Sequence, residues 1–371
     1  MSPWSAAAVG EHRDQIDTPA LILDLDAFER NLALMQQALE GTTLRLRPHA
    51  KSHKCPDIAL RQMALGAVGI CCQKVSEAAV FVAAGINDVL ITNQLVGKTK
   101  ITHVLELAQR ARIGVLVDHR SQVDALAEAA LSNHVSLDVY IEIDVGMKRC
   151  GVAPGTAALT LAQSISAAPP LRFAGLQCYH GAAQHLRAPD QRAQAIASAV
   201  HAAFETKNAI EAHGIAVPVI TGAGTGSFVH ERDSGVFDEL QAGSYIFMDR
   251  DYADNELGVN DLRFEHSLFV LTTVMSRPSA ERAVVDAGLK ASSVDSGMPS
   301  VWQRDDLRYA KASDEHGVLL TPGADSVSLG TRLMLVPGHC DPTVNLYDQL
   351  ICVRGDAVEA IWPVAARGAL L

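Results

Sequence analysis

The sequence predicts an α/β protein in which a (β/α)8 barrel of the TIM type is followed by a C-terminal antiparallel β-domain. Two observations predict this fold. Short apolar runs alternate with Ala/Leu-rich amphipathic segments from about residue 40, and after about residue 255 strand-like runs follow one another closely. Alternating strands and helices are typical of parallel strands joined by helical crossovers, whereas strands separated by turn residues are typical of antiparallel sheets.

The barrel is predicted from eight apolar runs that have the length and composition of strands. These runs cover residues 44–48, 68–72, 88–92, 113–117, 137–143, 172–178, 217–221 and 239–246. Eight β/α units within roughly 200 residues suit a closed barrel. A doubly wound open sheet remains the alternative, since it shows the same alternation. We assign residues 18–255 to the barrel, with residues 18–39 providing a strand and a helix before its first strand.

The β-domain is assigned to residues 256–371, together with the N-terminal residues 1–17. Its candidate strands are the runs SLFVLTTVMS, RAVVDAG, GVLLTPG, RLMLVPG, QLICVRG and AVEAIWPVA. Pro-Gly dipeptides, which are strong turn signals, end the third and fourth of these runs. Strands that are joined by short turns rather than by helices pair antiparallel.

The composition excludes several classes of function. The chain has 371 residues and a formal net charge of −11, which argues against nucleic-acid binding because phosphate neutralisation needs a basic surface. Apolar runs fall short of the roughly 18 residues of a membrane span, and the N-terminus lacks a signal-peptide pattern. The seven cysteines are odd in number and irregularly spaced, which indicates reduced thiols. We therefore expect a cytoplasmic protein without nucleic-acid or membrane partners.

Chemically capable side chains follow the predicted strands, whose C-terminal ends form the active face of a barrel. In chain order they are Lys51, Gln73, Arg149, Tyr179, His185, the loop TGAGTGS (221–227), Ser244 and Tyr245. Glycines let the backbone N–H groups of the loop approach an anion, and the loop follows the seventh strand, where barrels usually bind phosphate. Cations on both sides of Lys51 should lower its pKa and leave a neutral amine able to form a Schiff base. A reactive lysine and a phosphate site on one rim indicate pyridoxal phosphate.

Several motifs in order resemble those of the fold-type III pyridoxal-phosphate enzymes, the alanine-racemase-like class. The motifs are RPHAKSHK, CCQKVSEA, IEIDVGMKRCGV, YHGAAQH, TGAGTGS, LQAGSYIFMD and PGHCDPTVNLYD. Within the class they resemble the D-threonine aldolase and D-serine dehydratase-like family, most closely the D-threonine aldolases. The resemblance covers about residues 17–369, and several motifs in the right order are more specific than any one of them alone.

The resemblance implies a role for each matching position. Lys51 would bond covalently to the cofactor, Arg149 would hydrogen-bond its phenolic oxygen, and Tyr179 would face its pyridine nitrogen. Gln73 would lie beside the cofactor, and His185 would lie near the β-hydroxyl of the substrate as a general base. The phosphate would be held by Thr221, Gly222, Gly224, Thr225, Ser244 and Tyr245.

His339 and Asp341 are the predicted metal ligands. They are two residues apart, and such residues on a strand point to the same side. The resemblance implies a metal-dependent family with ligands at these positions, carried by the β-domain. An imidazole together with a carboxylate suits a hard divalent ion, Mn²⁺ or Mg²⁺.

The resemblance also implies the activity, that of a carbon–carbon lyase acting on D-3-hydroxy amino acids. The reaction would be a metal-assisted, pyridoxal-phosphate-dependent retro-aldol cleavage, with D-threonine giving glycine and acetaldehyde. An aldolase for 3-hydroxy-D-aspartate and a dehydratase for D-serine or 3-hydroxyaspartate remain alternatives on the same scaffold. A non-catalytic pyridoxal-phosphate carrier is disfavoured, since such small proteins lack a C-terminal domain. The family resemblance further implies a homodimer.

Overall fold

The computed structural model describes residues 5–323 and 326–371, so residues 1–4 of the predicted β-domain lie outside the described residues. The strands are β1 (Ala20–Asp24), β2 (Arg45–Leu46), β3 (Ile70–Cys72), β4 (Asp88–Gln94), β5 (Arg112–Val117), β6 (Leu137–Glu142), β7 (Leu171–Cys178), β8 (Ile220–Gly222), β9 (Glu239–Leu240), β10 (Leu268–Ser279), β11 (Arg282–Val285), β12 (Ser300–Val301), β13 (Arg308–Ala312), β14 (Gly317–Leu320), β15 (Arg332–Val336), β16 (Gln349–Arg354) and β17 (Ala357–Pro363). The helices are α1 (Leu25–Leu39), α2 (Pro56–Ala64), α3 (Val75–Ala83), α4 (Lys98–Ala108), α5 (Arg120–Ser132), α6 (Thr156–Ser166), α7 (Pro189–Glu211), α8 (Phe228–Asp233), α9 (Arg250–Ala253) and α10 (Cys340–Val344). Short 3-10 turns cover Arg13–Gln15, Ala50–Ser52, Gly181–His185 and Ser244–Ile246.

Within the described residues, eight parallel strands form a barrel in the order β2-β9-β8-β7-β6-β5-β4-β3. A parallel bridge between His49 and Cys71 joins the two ends of this order and closes the barrel. The predicted (β/α)8 barrel is confirmed, and the alternative of an open sheet is wrong. Strands β5 and β6 are buried almost throughout, because helices cover them outside and side chains fill the barrel inside.

The last predicted barrel strand, residues 239–246, is much shorter in the structure. Only Glu239–Leu240 pairs as β9, and the chain then bends into the 3-10 turn Ser244–Ile246. The carbonyl of Ser244 accepts hydrogen bonds from the N–H groups of Phe247 and Met248, at 3.0 and 2.8 Å, which closes this turn. Side-chain directions in this segment therefore do not follow the two-residue period of a strand.

Charged side chains close the end of the barrel where the strands begin. The buried guanidinium of Arg47 donates to Glu239 at 2.7 Å and to Asp88 at 2.6 Å. These two acids are the first residues of β9 and β4. Burying an ion pair is tolerable only when each charge has a partner, and this condition is met here. We call this set the floor network, which continues through Arg112, Asp138 and Arg172.

The second sheet has the order β13-β14-β11-β10-β1-β16-β17, with β15 paired to β10 and β12 paired to β15. The predicted antiparallel C-terminal β-domain is confirmed. Strand β1 lies inside this sheet, antiparallel to β10 and parallel to β16, so its assignment to the barrel within residues 18–255 is wrong. A buried strand followed by a helix resembles a first β/α unit, and only its long-range pairing shows which sheet it joins.

The N-terminal segment and helix α1 also pack with the second sheet. His12 forms an antiparallel bridge with Ala357. Phe28 of α1 packs edge-to-face against Trp362, with the ring centroids 6.1 Å apart. The start of the chain therefore contributes to the core of the β-domain. Within the two described ranges, no helix is both long and apolar enough to cross a membrane.

Candidate active site

A cavity of about 460 Å³ opens at the C-terminal ends of the barrel strands. Its lining includes the predicted residues Lys51, Gln73, Arg149, Tyr179, His185, Gly224, Thr225 and Ser244. These side chains come from loops after six different strands, so the rim of the barrel brings them together. Their roles toward a cofactor or a substrate remain predictions.

Lys51 lies in a 3-10 turn directly after the first barrel strand. Its Nζ is 2.8 Å from Oδ2 of Asp341, and the charge of that carboxylate raises the pKa of the amine. The expectation that neighbouring cations lower this pKa is wrong, because those cations have partners of their own. Arg47 is neutralised in the floor network, and Nζ of Lys54 lies 2.9 Å from Glu77.

His49 forms a neutral wall of the cavity beside this turn. Its Nε2 lies 2.9 Å from Oγ1 of Thr92, and burial lowers the pKa of the imidazole to about 3. Its Nδ1 accepts a hydrogen bond from the backbone N–H of Lys51 at 3.4 Å. His49 therefore supports the backbone of the Lys51 turn and adds no positive charge to it.

The loop TGAGTGS has features that a phosphate group requires. A Cβ atom at Gly224 would collide with Oε1 of Gln184, so any larger residue there would require the amide of Gln184 to move. Ala223 has φ +73°, a left-handed conformation of the kind found in anion-binding turns. Oγ1 of Thr225 is buried beside the cavity and has no partner among the described residues. A buried hydroxyl without a partner needs a ligand or water, and a phosphate oxygen fits this requirement.

Thr221 and Gly222, at the end of β8, do not line the cavity. The Thr221 hydroxyl donates to Glu239 at 3.2 Å and accepts from Gln241 at 2.8 Å, so it belongs to the interior of the barrel. A Cβ atom at Gly222 would collide with the carbonyl oxygen of Cys178 on the neighbouring strand. The Thr221 hydroxyl is therefore used inside the barrel and the glycine at position 222 has a packing reason, while the phosphate contacts expected at these two positions stay predictions.

The side chains of Ser244 and Tyr245 point in different directions, although the two residues are neighbours in one turn. Ser244 lines the cavity, and its Oγ is 3.2 Å from Oδ1 of Asp341. The Tyr245 phenol is buried and accepts a hydrogen bond from Nε2 of Gln62 at 3.1 Å. The Tyr245 phenol therefore has its partner in the core, and the phosphate contact expected at residue 245 stays a prediction. The turn, unlike the strand expected here, directs this ring into the core against Phe264, with centroids 5.5 Å apart.

The remaining predicted cofactor residues stand on the cavity walls. Burial raises the pKa of Tyr179, so its phenol is neutral. The side-chain amide of Gln73 donates to the carbonyl of Thr92 at 3.1 Å, which fixes its orientation. Arg149 shares the cavity with Glu142, a carboxyl group whose pKa is raised by burial and which was not predicted. Glu142 is the last residue of β6, and a polar residue at the C-terminal end of a barrel strand is the sequence feature that indicates an active-site position.

His185 ends the 3-10 turn that follows β7, and its side chain is 49% exposed. Its Nδ1 is 2.5 Å from Oδ2 of Asp251, and Asp251 also pairs with Arg187. Tyr252 lines the cavity with its ring centroid 6.2 Å from that of His185. Neither Asp251 nor Tyr252 is among the residues predicted from the sequence. The motif MDRDY, close after the eighth strand, was the signal that points to them.

His339 and Asp341 lie at the start of α10 and not on a strand. His339 is the residue before the helix and Asp341 lies in its first turn, so the argument from strand alternation is wrong. Asp341 nevertheless borders the cavity through its contacts with Lys51 and Ser244. Burial raises the pKa of Asp341, but the charges of Lys51 and His339 lower it by more, so the group is a carboxylate.

The donor set at this position fits a divalent ion with two protein ligands. Nδ1 of His339 lies 2.8 Å from Oδ2 of Asp295, a carboxylate support of the kind found behind metal-binding imidazoles, and this leaves Nε2 free to coordinate. Across residues 5–323 and 326–371, no three His, Cys, Asp or Glu side chains are placed to hold a metal. An ion bound here would take its other ligands from water or substrate, and it remains a prediction.

The barrel, its rim lysine and its glycine-rich loop define a cofactor-binding class of α/β proteins. The chain belongs to the family described as alanine racemase, N-terminal domain, whose sequence profile matches residues 23–251. The profile of a putative serine dehydratase domain matches residues 267–353, within the β-domain. Membership of this family supports pyridoxal phosphate as the cofactor of the cavity.

Similarity to individual proteins extends over nearly the whole chain. The sequence is 48% identical to D-threonine aldolase from Arthrobacter sp., over 98% of this chain and 96% of that protein. It is 45% identical to 3-hydroxy-D-aspartate aldolase from Paracoccus denitrificans (strain Pd 1222), over 98% of this chain and 95% of that protein. The crystal structure of D-threonine aldolase from Filomicrobium marinum superposes with a TM-score of 0.97 at 50% identity, covering 99% of this chain and 100% of that chain.

Proposed function

We propose that the protein is a carbon–carbon lyase of the aldehyde-lyase type that cleaves D-3-hydroxy amino acids, with D-threonine giving glycine and acetaldehyde. The observation that carries the proposal is the meeting of Lys51, Asp341 and His185 around one cavity. They supply an amine that can hold a carbonyl cofactor, a carboxylate that can hold a metal and an imidazole that can take a proton. Identity of 48% and 50% to two proteins named D-threonine aldolase supports the same reaction.

The proposed cleavage needs a base and an electron acceptor. The base removes the proton of the β-hydroxyl, the Cα–Cβ bond breaks, and the aldehyde leaves as its C=O bond forms. The electron pair of the broken bond stays on Cα, which then takes a proton to give glycine. Pyridoxal phosphate, when bound, supplies the acceptor for this electron pair. His185 is the proposed base, because it lines the cavity and its Nδ1 is already hydrogen-bonded to Asp251.

Some of the cavity residues would contact the pyridine ring of the cofactor, and others would contact its phosphate. Lys51 would hold it covalently. Arg149 and Tyr179 would contact its ring, and Gln73 would lie beside it. The neutral Tyr179 phenol is a weaker partner for a pyridine nitrogen than a carboxylate, so the reaction gains from a second electrophile. The phosphate would be held by Gly224, Thr225 and Ser244.

We propose that this second electrophile is a divalent metal ion, Mn²⁺ or Mg²⁺, held by His339 and Asp341. As a Lewis acid it would lower the pKa of the β-hydroxyl. Two contacts support the assignment. Asp295 orients the His339 ring at 2.8 Å, and Asp341 lies 2.8 Å from the amine of Lys51, next to the proposed reaction centre.

An aldolase for 3-hydroxy-D-aspartate, giving glycine and glyoxylate, is the second candidate. The 45% identity to a relative of that name favours it. A dehydratase on the same scaffold would need Lys51 to remove the Cα proton and would release ammonia and a keto acid. The pairing of His185 with Asp251 favours an aldolase, because a base at the β-hydroxyl is required only for carbon–carbon cleavage.

Identification of the products separates these candidates. The purified protein is loaded with pyridoxal phosphate and incubated with D-threonine, 3-hydroxy-D-aspartate or D-serine, with Mn²⁺ or with a chelator. We expect glycine and acetaldehyde from D-threonine, and loss of most of this activity with the chelator. Ammonia and a keto acid without glycine contradict the aldolase, and turnover that is independent of metal contradicts the role of His339 and Asp341.

We further propose a homodimer, as the family resemblance implies, and a location in the cytoplasm. All seven cysteines are free thiols, which suits a reducing compartment. Light scattering of the purified protein should give twice the chain mass of 39.5 kDa. A monomer mass at micromolar concentration contradicts the dimer.

A further inference from the structure

We propose that Asp251 is the positioning residue of His185 and that Arg187 anchors Asp251 in turn. The inference rests on the proposed function, in which His185 takes the proton of the β-hydroxyl. Asp251 is not among the residues that line the cavity, whereas His185 is. Asp251 therefore acts on the reaction through the imidazole and not through the substrate.

The contacts of Asp251 use both oxygens of its carboxylate. Oδ2 lies 2.5 Å from Nδ1 of His185, and Oδ1 pairs with the guanidinium of Arg187. Arg187 also donates to the backbone carbonyl of Asp251 and to Oδ1 of Asn255, the latter at 2.7 Å. The Asp251 side chain is 6% exposed, so both contacts are shielded from water on the carboxylate side. The guanidinium thus holds the carboxylate in one orientation against the imidazole.

The hydrogen bond to Asp251 decides which ring nitrogen of His185 is the base. An ionised carboxylate can only accept hydrogen bonds, so the proton of the neutral imidazole must sit on Nδ1. Nε2 is then the nitrogen that can take a proton. The same carboxylate stabilises the positive charge that the ring gains when it takes the proton, as the ionised aspartate of a catalytic triad does for its histidine.

The segment around α9 also fixes the distance between the proposed base and the predicted metal ligands. Asp249, the residue before α9, accepts a hydrogen bond from the N–H of Cys340 at 2.8 Å. Asn255, two residues after α9, donates to the carbonyl of Gln184 at 2.9 Å. The two ends of this segment are thereby tied to the two loops that carry the site, so Asp251 is held in place from both sides.

A purely structural ion pair between Asp251 and Arg187 is the alternative. Such a pair would stabilise the loop regardless of the side chain at position 185. A positioning role, in contrast, disappears once the imidazole is removed, because there is no longer a ring to orient. A double-mutant cycle between Asp251 and His185 separates the two roles.

The experiment measures kcat and KM for cleavage of D-threonine by the loaded enzyme and its variants. For Asp251→Asn we expect kcat to fall on the order of 10²-fold with KM changed less than about threefold, because the ring is misoriented only where it must act. In the His185→Gln background, Asp251→Asn should lower the residual kcat by less than about twofold. In wild-type protein, ¹⁵N NMR should show the Nδ1–H tautomer for the histidine signal that His185→Gln removes.

Asp254→Asn is the matched control. Asp254 lies directly after α9, and its substitution removes the same negative charge as Asp251→Asn. Its partner, however, is Arg250 at 3.7 Å, and its side chain is 51% exposed. We expect kcat and KM of this variant to equal those of the wild type. Arg187→Gln should lower kcat in the wild-type background and leave it unchanged in the His185→Gln background.

Several results would overturn the inference. They are wild-type kcat in Asp251→Asn, an equal loss from Asp251→Asn with and without His185, or an Nε2–H tautomer in the wild-type protein. The NMR result needs neither a folded Asp251 variant nor turnover. If the wild type cleaves no D-3-hydroxy amino acid, the proposed function fails, while the tautomer still tests the role of Asp251.

Discussion

The two ends of the barrel use the same kinds of charged side chain in different ways. In the floor network, the Arg47 side chain is 5% exposed and has two carboxylate partners. At the rim, the Lys51 side chain is 42% exposed beside Asp341, and the Thr225 hydroxyl has no partner among the described residues. Groups whose hydrogen-bonding capacity is used within the protein stabilise the fold. Groups with capacity left over are the ones that can bind a ligand.

The largest effect that separates the two ends is expected at Lys51. Lys51→Ala should abolish covalent cofactor binding and lower kcat by roughly 10³-fold or more, because it is the only lysine among the described cavity residues. The free energy of unfolding should change by less than about 2 kcal/mol, because the Lys51 side chain is partly exposed and Asp341 keeps its hydrogen bond from Ser244. Visible absorption, glycine release and denaturant unfolding measure these effects. Retention of the absorption band of a lysine-bound cofactor contradicts the assignment.

The corresponding change in the floor network is Arg47→Met, which should affect stability and not chemistry. It leaves Glu239 and Asp88 without their buried partner, and we expect a loss of about 3–5 kcal/mol in the free energy of unfolding. Denaturant unfolding measures this loss. Arg172→Gln is the control, because Arg172 is 57% exposed and its loss should cost less than about 1 kcal/mol. Equal losses in the two variants contradict the role of burial.

Glu231 lies on α8, behind the glycine-rich loop, and is an exception at the rim: it is buried, and none of the described residues places a cation beside it. Burial raises the pKa of Glu231 from 4.5 to about 7, although Ser227 donates to it at 2.9 Å. The folded protein thus keeps a proton that the unfolded chain has released, so its stability falls as the pH rises from about 4.5 to 7. Glu231→Gln should be more stable than the wild type by roughly 1–3 kcal/mol at pH 8 and similar to it near pH 4.5.

Urea unfolding at the two pH values tests this expectation. Glu205→Gln, at an exposed position on α7, is the control and should show no such difference between the two pH values. If the stability of Glu231→Gln falls below that of the wild type at pH 8, the buried carboxyl is ionised and has a partner, which contradicts the prediction.

The smallest effects are expected from substitutions of two threonines of the TGAGTGS loop, Thr225 and Thr221. Thr225→Val removes the hydroxyl at the cavity and should weaken pyridoxal-phosphate binding about tenfold, the contribution of one hydrogen bond to a charged group. Thr221→Val removes a hydroxyl already used inside the barrel, so cofactor affinity should be unchanged and stability should fall by about 1 kcal/mol. Cofactor titration and denaturant unfolding distinguish them. Equal cofactor affinity in the two variants contradicts the division between rim and interior.

The sequence by itself determined the order and type of most elements. Alternating strands and helices up to about residue 255 became the barrel, and the closely spaced strands after it became the second sheet. Hydrophobic periodicity is a local property, so it can be read without knowledge of the fold. Lys51 and the glycine-rich loop were found for a related reason. Each follows a strand, and the ends of parallel strands in a barrel must meet on one rim.

Only the tertiary structure decided which groups have partners and which way they point. Lys51 and Asp341 are 290 positions apart in the chain, and no local pattern joins them. Long-range pairing also placed β1 in the second sheet, and an irregular turn directed Tyr245 into the core. Periodicity and turn signals act over a few residues. The pairing of charges and the direction of side chains in irregular turns depend on which surfaces the fold brings together.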